Sequence, residues 1–248
     1  MIRIDSLSKC YGKNTVKAVD NLHLHIRPGE IFGFIGPNGA GKTTTIRMMA
    51  GILTPDEGDV IIKGHSIRRD ALAAKMDIGL VPDEAHIYER LTGMEYLEFI
   101  ASVYHTPNDR KRRNIEKYLE VFELAQVSGQ RISSYSRGMR QKLLITSALI
   151  HEPSVWLLDE PMTGMDPRSA LALKQEMHVH CNAGNTVFFS THVLEVAEKL
   201  CDRLGIIVGG KLVAVGTMEE LRQRETDGAG TSLEEIFMGL TEKSEATQ

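Results

Sequence analysis

Apolar positions follow strand spacing at the start of the chain, helical spacing from Arg90 to Ile150, and strand spacing again from Val155. In Asn21-Leu22-His23-Leu24-His25-Ile26 they alternate with polar ones, as in a half-buried strand. Arg27-Pro28-Gly29-Glu30 reads as a turn, and Ile31-Phe32-Gly33-Phe34-Ile35 as a strand buried on both faces. A helix is expected from Lys42 to Gly51, and strands at Val60–Ile62 and Ile78–Val81. Thr92-Gly93-Met94-Glu95 has the form of a capping box, opening a helix with Leu97, Ile100, Ala101 and Tyr104 on one face. Thr106-Pro107 predicts an N-cap followed by proline at the first helical position, with Ile115, Tyr118, Leu119 and Phe122 as the apolar stripe. A third helix is expected to start near Ser136 and end before Pro153.

Val155–Leu158 and Thr186–Phe189 are the returning strands. Between them Asp166-Pro167 opens a helix whose stripe is Ala170, Leu173, Met177 and Cys181. Leu204–Val208 and Lys211–Val215 read as a hairpin turning at Gly209-Gly210. Thr217…Glu220 and Ser232…Glu235 predict two further capping boxes, Asp227–Gly230 a linker, and Thr241–Gln248 a frayed tail. The pattern is α/β with a mostly parallel sheet, interrupted by an all-helical insertion, and sites are expected at the strand C-terminal ends.

Composition narrows the class. A chain of 248 residues, 42 % apolar and 25 % charged, reads as one globular domain or one domain carrying a small subdomain. No apolar stretch approaches the ~18 residues of a spanning helix, and the N-terminus lacks a signal-peptide pattern. Cys10, Cys181 and Cys201 form no C-x-x-C pair, which predicts a reducing cytosol without disulfides or a zinc site. With 29 basic against 33 acidic residues the net charge is −4, so nucleic acid is not an expected partner.

The chemistry begins at Gly36-Pro37-Asn38-Gly39-Ala40-Gly41-Lys42-Thr43, which fits G-x-x-x-x-G-K-[ST] between a strand and a helix. Glycines let backbone N–H groups turn inward as an anion nest, and the helix N-terminus adds positive potential. Lys42 would reach the β- and γ-phosphates of a nucleoside triphosphate; Thr43 would bind Mg²⁺, and Thr44 extends the nucleotide-binding run. In Val155-Trp156-Leu157-Leu158-Asp159-Glu160 a buried strand ends in two carboxylates. Asp159 would hold Mg²⁺ directly or through water, and Glu160 would orient or deprotonate the attacking water.

Ser134-Tyr135-Ser136-Arg137-Gly138-Met139-Arg140-Gln141 resembles the L-S-G-G-Q signature of the ATP-binding subunits of ABC transporters. In the same register, Thr163-Gly164-Met165-Asp166-Pro167 resembles the loop after that family's catalytic glutamate, Ser190-Thr191-His192 its switch histidine, and Tyr11 its adenine-stacking aromatic. The resemblance covers residues 1–220, and the segment Leu233–Phe237 is similar to stand-alone exporter subunits whose permease is a separate chain. It implies a P-loop NTPase (RecA-like) core with N-terminal antiparallel strands. It divides the chain into a domain 1–222, made of core 1–86 and 152–222 around a helical subdomain 87–151, and an extension 223–248. It further implies a head-to-tail dimer, with itself or a homologous ATPase subunit, on the cytoplasmic face of the membrane. Lys42, Glu160 and His192 would act on one ATP, Asp166 would lie in the dimer loop, and the partner's signature residues would complete the site. In this chain those signature positions are Ser136, Arg137, Gly138 and Met139.

Four positions depart from the family pattern: Tyr135, Arg137 and Met139, in place of the signature's leucine, glycine and glutamine, and Asp83. Arg137 stands where the signature has glycine, and would either add positive charge near phosphate or face solvent. Asp83, in Val81-Pro82-Asp83, stands where the family has a Mg²⁺-binding glutamine; it remains an oxygen ligand but is shorter and charged. An ABC-type ATPase without transport, such as an iron–sulfur assembly protein, is the alternative to a permease-driving subunit. His23 and His25 read as the polar face of a strand, and His178 and His180 diverge on a helix. Lys111-Arg112-Arg113 reads as a solvated helix start that an anionic membrane surface would also suit, and Trp156 reads as core.

Overall fold

The computed structural model describes residues 1–12, 16–84, 87–224 and 232–245. Two sheets carry the fold. The first is antiparallel, order β2-β1-β4-β5, from β1 (Ile2–Cys10), β2 (Lys17–Ile26), β4 (Glu57–Ile62) and β5 (His65–Ser66). The second has six strands, order β10-β9-β3-β8-β7-β6. In it β3 (Ile31–Ile35), β6 (Ile78–Val81), β7 (Val155–Asp159), β8 (Thr186–Thr191) and β9 (Arg203–Val208) run parallel, and β10 (Lys211–Gly216) is antiparallel at one edge.

The patterns explain the layers. In β2, Leu22, Leu24 and Ile26 are buried while His23 and His25 are exposed. They face Phe32, Phe34 and Phe188 of the second sheet, so one apolar layer joins the sheets. All residues of β3, β7 and β8 are buried, as covered parallel strands require. On the other face, Trp156, Leu158 and Phe189 pack with helices α5 (Arg137–Leu149) and α6 (Pro167–Asn182). A third cluster joins Ile35 and Ile206 to α7 (Leu194–Leu200), α8 (Met218–Arg224) and α9 (Leu233–Glu245). The other helices are α1 (Lys42–Met49), α2 (Ala71–Met76), α3 (Gly93–Val103) and α4 (Asn108–Val121).

The capping boxes at Thr92/Glu95, Thr217/Glu220 and Ser232/Glu235 form with both reciprocal bonds. Three details differ from the sequence pattern. Helix α4 starts at Asn108 with Pro107 as its N-cap, and Thr106 does not cap it. Thr106 is used to end α3: His105 takes φ +51°, and the His105 and Thr106 N–H groups close onto the carbonyls of Ser102 and Ala101. On α6 the buried stripe is Ser169, Leu173, Met177 and Cys181, with Ser169 in place of Ala170. Thr241–Glu245 is not frayed but continues α9, Thr241 Oγ1 donating to the Phe237 carbonyl at 2.9 Å. The expected linker Asp227–Gly230 lies outside the described residues.

Candidate ATP site

The loop after β3 is shaped by close backbone approach. Gly41 has φ +108°, and a Cβ there would lie 2.3 Å from the Ala18 carbonyl, so only glycine fits. Pro37, Asn38, Gly39, Ala40, Gly41, Lys42, Thr43 and Thr44 line a cavity of about 190 Å³ that Ala18, Asp83 and Glu160 complete. Lys42 is 7 % exposed; its Nζ donates to the Gly36 carbonyl at 2.7 Å and the Pro37 carbonyl at 3.2 Å, and stands 3.7 Å from Glu160 Oε1. A buried ammonium beside a backbone nest and a helix N-terminus suits a polyphosphate. Tyr11 is exposed beside the loop, its hydroxyl 3.4 Å from Thr44 Oγ1.

The end of β7 supplies the acids. Asp159 is buried, and its Oδ1 accepts a 2.5 Å bond from Ser190 Oγ. The Glu160 N–H donates to the same Ser190 Oγ at 3.1 Å. Glu160 adopts φ +48°, a left-handed backbone that a non-glycine residue holds only where its surroundings fix it. Its Oε2 lies 3.0 Å from His192 Nδ1, so the carboxylate sits between Lys42 and His192. Ser190 is the residue whose role sequence reasoning missed. The register pairing Asp159 with Ser190 creates the contact, and no one-dimensional pattern contains it.

Asp83 lies at the cavity edge. Partial burial, then the charges of Asp159 and Glu160, raise its carboxyl above the usual range, while Arg137 opposes the rise. This negative field suits a cation. Among the described residues, no three His, Cys, Asp or Glu side chains are placed to hold a metal by themselves. A Mg²⁺ here would need the Thr43 hydroxyl and phosphate oxygens as further ligands.

The signature residues stand apart. Ser136 caps α5, its Oγ accepting from the Met139 N–H at 3.2 Å. Ser136, Arg137, Gly138 and Met139 are absent from the lining of the phosphate cavity, and Arg137 is exposed. A wider cleft of about 640 Å³ runs from Asp83 and Glu160 to Arg137 and Arg140. Buried Gln141, a second contact the sequence did not reveal, donates to the Pro161 carbonyl at 3.2 Å and ties α5 to the segment after Glu160. Asp166 caps α6 with bonds from the Ser169 N–H and hydroxyl, which hold its carboxyl below the usual range.

Fold and loop together define a P-loop ATPase. Residues 19–163 match the ABC transporter family. The chain is 38 % identical over 92 % of its length, and 71 % of the relative's, to daunorubicin resistance ATP-binding protein DrrA3 of Streptomyces coeruleorubidus. It is 36 % identical over 95 % of its length, and 76 % of the relative's, to Nod factor export ATP-binding protein I of Paraburkholderia xenovorans. A solved ATP-binding subunit of an ABC transporter superposes with a TM-score of 0.92 at 30 % identity, covering 97 % of this chain and 99 % of that one. A dimeric bacterial ABC transporter cassette gives 0.80 at 25 %, covering 88 % and 99 %. The chain belongs to the ABC transporter family, as an ATP-binding subunit that hydrolyses ATP. This favours the transport reading over the non-transport ATPase. No described helix is long and apolar enough to cross a membrane.

Proposed function

We propose that the chain drives a separate membrane permease by ATP-dependent head-to-tail dimerisation, from the cytoplasmic face of the membrane. The observation that carries the site assignment is the Glu160 carboxylate, held between Lys42 and His192 at the mouth of the phosphate cavity. Lys42 and the loop N–H groups take the phosphates, and Tyr11 stacks on adenine. Thr43 and Asp159 would hold Mg²⁺, and Asp83 would be a further oxygen ligand. The ion, when bound, offsets phosphate charge and orients the γ-phosphate. Glu160 accepts the proton of the attacking water, and His192 fixes its orientation.

The partner's Ser136, Arg137, Gly138 and Met139 close the site from across the dimer, with Asp166 in the dimer loop. The absence of Ser136, Gly138 and Met139 from the phosphate cavity of their own chain supports this arrangement, as does a dimeric cassette of the same fold. The ATP-binding domain is residues 1–222, with 87–151 as a helical subdomain inserted between 1–86 and 152–222, and 223–248 as an extension. Export is the favoured direction, since three relatives are named for export. The test is purification from detergent-solubilised cells: a multi-spanning protein co-purifying with the Glu160→Gln chain supports the reading. A wholly soluble complex with soluble partners overturns it.

A further inference from the structure

The turn between β9 and β10 touches the phosphate loop through backbone alone. Gly210 donates its N–H to the Ala40 carbonyl at 3.0 Å and accepts the Asp20 N–H at 2.9 Å. Lys211 Nζ stands 3.8 Å from Asp20, a second tether to β2. One strand residue upstream backs the same loop: a Cβ at Gly36 would lie 2.3 Å from the Ile207 carbonyl. Gly210 itself has φ +80°, and a Cβ there would meet the Lys17 and Ala18 carbonyls at 2.9 and 3.0 Å. Loop, β2 and hairpin turn therefore meet at a spacing that excludes any side chain from position 210.

The consequence for the loop follows from peptide geometry. A trans peptide is planar, with its C=O and N–H pointing in opposite directions. Drawing the Ala40 carbonyl toward Gly210 turns the Gly41 N–H the other way. An anion nest works only when its N–H groups face the anion. We propose that the β9–β10 turn is a positioning element for nucleotide binding and that Gly210 is its positioning residue, fixing the Ala40–Gly41 peptide with its N–H toward phosphate. The inference rests on the phosphate loop holding ATP, and it adds a segment distant in sequence, the turn after the neighbouring strand β9, to that loop's control.

The test compares Gly210→Ala with Gly184→Ala. Gly184 has φ +84° but no atom within 4 Å of its Cβ position, so it reproduces the backbone strain without the contact. Steady-state ATPase and titration with a fluorescent ATP analogue are measured on both, with thermal melting as the folding control. For Gly210→Ala, KM and the analogue's Kd are expected to rise about tenfold with kcat within about twofold, the signature of lost ground-state binding. Gly184→Ala is expected to melt earlier by a similar margin and to bind like the wild type. Equal affinities in the two variants, or a loss of kcat at unchanged KM, overturn the proposal. If Gly210→Ala does not fold, Lys211→Ala, which removes the side-chain tether to Asp20 without adding a Cβ, is expected to raise the analogue's Kd about twofold to threefold, and wild-type affinity in it overturns the proposal. Lys42→Ala, run alongside, separates the two readings: wild-type nucleotide binding in that variant sinks the phosphate-site assignment instead.

Discussion

Ser190→Ala is the sharpest probe of how the catalytic acids are held. The hydroxyl is fully buried, donates to Asp159 Oδ1 at 2.5 Å and accepts from the Glu160 N–H at 3.1 Å. A hydrogen bond to a charged group is worth about 1.5–3 kcal/mol, and an orphaned buried N–H adds about 1 kcal/mol or more. A loss of about 3 kcal/mol in a chain of this size lowers Tm by about 10 °C. Activity falls with it, because the Glu160 backbone loses the partner that helps hold its left-handed conformation. A shift of about 1 Å in a catalytic group costs up to about 10²-fold, so a drop of at least tenfold in kcat is expected. The control is Ser147→Ala: that buried hydroxyl donates to the Leu144 carbonyl of its own helix at 2.8 Å and pairs with the Tyr96 phenol rather than with a carboxylate, and its loss is expected to cost about 3 °C. Differential scanning fluorimetry and a coupled ATPase assay read both quantities. If Ser190→Ala melts with Ser147→Ala and turns over at the wild-type rate, the bridge between strands β7 and β8 does not hold the acids.

Three further outcomes are expected. Glu160→Gln should retain ATP affinity while turnover falls by about 10²–10⁴-fold; near-normal steady-state ATPase removes Glu160 as the base. Tyr11→Ala should weaken ATP binding by about 1–3 kcal/mol and Tyr11→Phe should not, by equilibrium titration; equal affinity in all three forms rejects stacking. Burial pushes both His151 and His180 down to about 4, so the unfolded chain takes up protons that the folded one refuses. Stability therefore rises with pH between about 4 and 6.5. Acidification from pH 7 to 5 costs about 2 kcal/mol for each histidine. His151→Phe keeps the ring stacked on Tyr104 and should halve this slope in urea denaturation series, His180 supplying the rest; an unchanged slope assigns the acid sensitivity elsewhere.

Local signals were legible where one segment decides its own structure. The phosphate loop, the paired carboxylates and the capping boxes are contiguous runs with built-in geometry. Start positions failed where neighbouring elements compete for one residue, as at Thr106, which closes α3 before α4 can use it. Contacts set by strand order were silent in the sequence. Ser190 reaches Asp159 across 31 residues, and Gly210 reaches Ala40 only because β9 lies beside β3. Ser136 and His192 were legible only through resemblance, because a lone serine at a helix start and a histidine after a strand carry no local pattern of their own.

The internal partners of Lys42 give the loop a second property. The Lys42 ammonium bonds the Gly36 and Pro37 carbonyls, so the loop's own backbone meets its buried charge. Breaking a buried pair without replacement costs about 3–5 kcal/mol. A nucleotide phosphate drawn to Lys42 would have to share the cation with those carbonyls, which would temper affinity and ease product release.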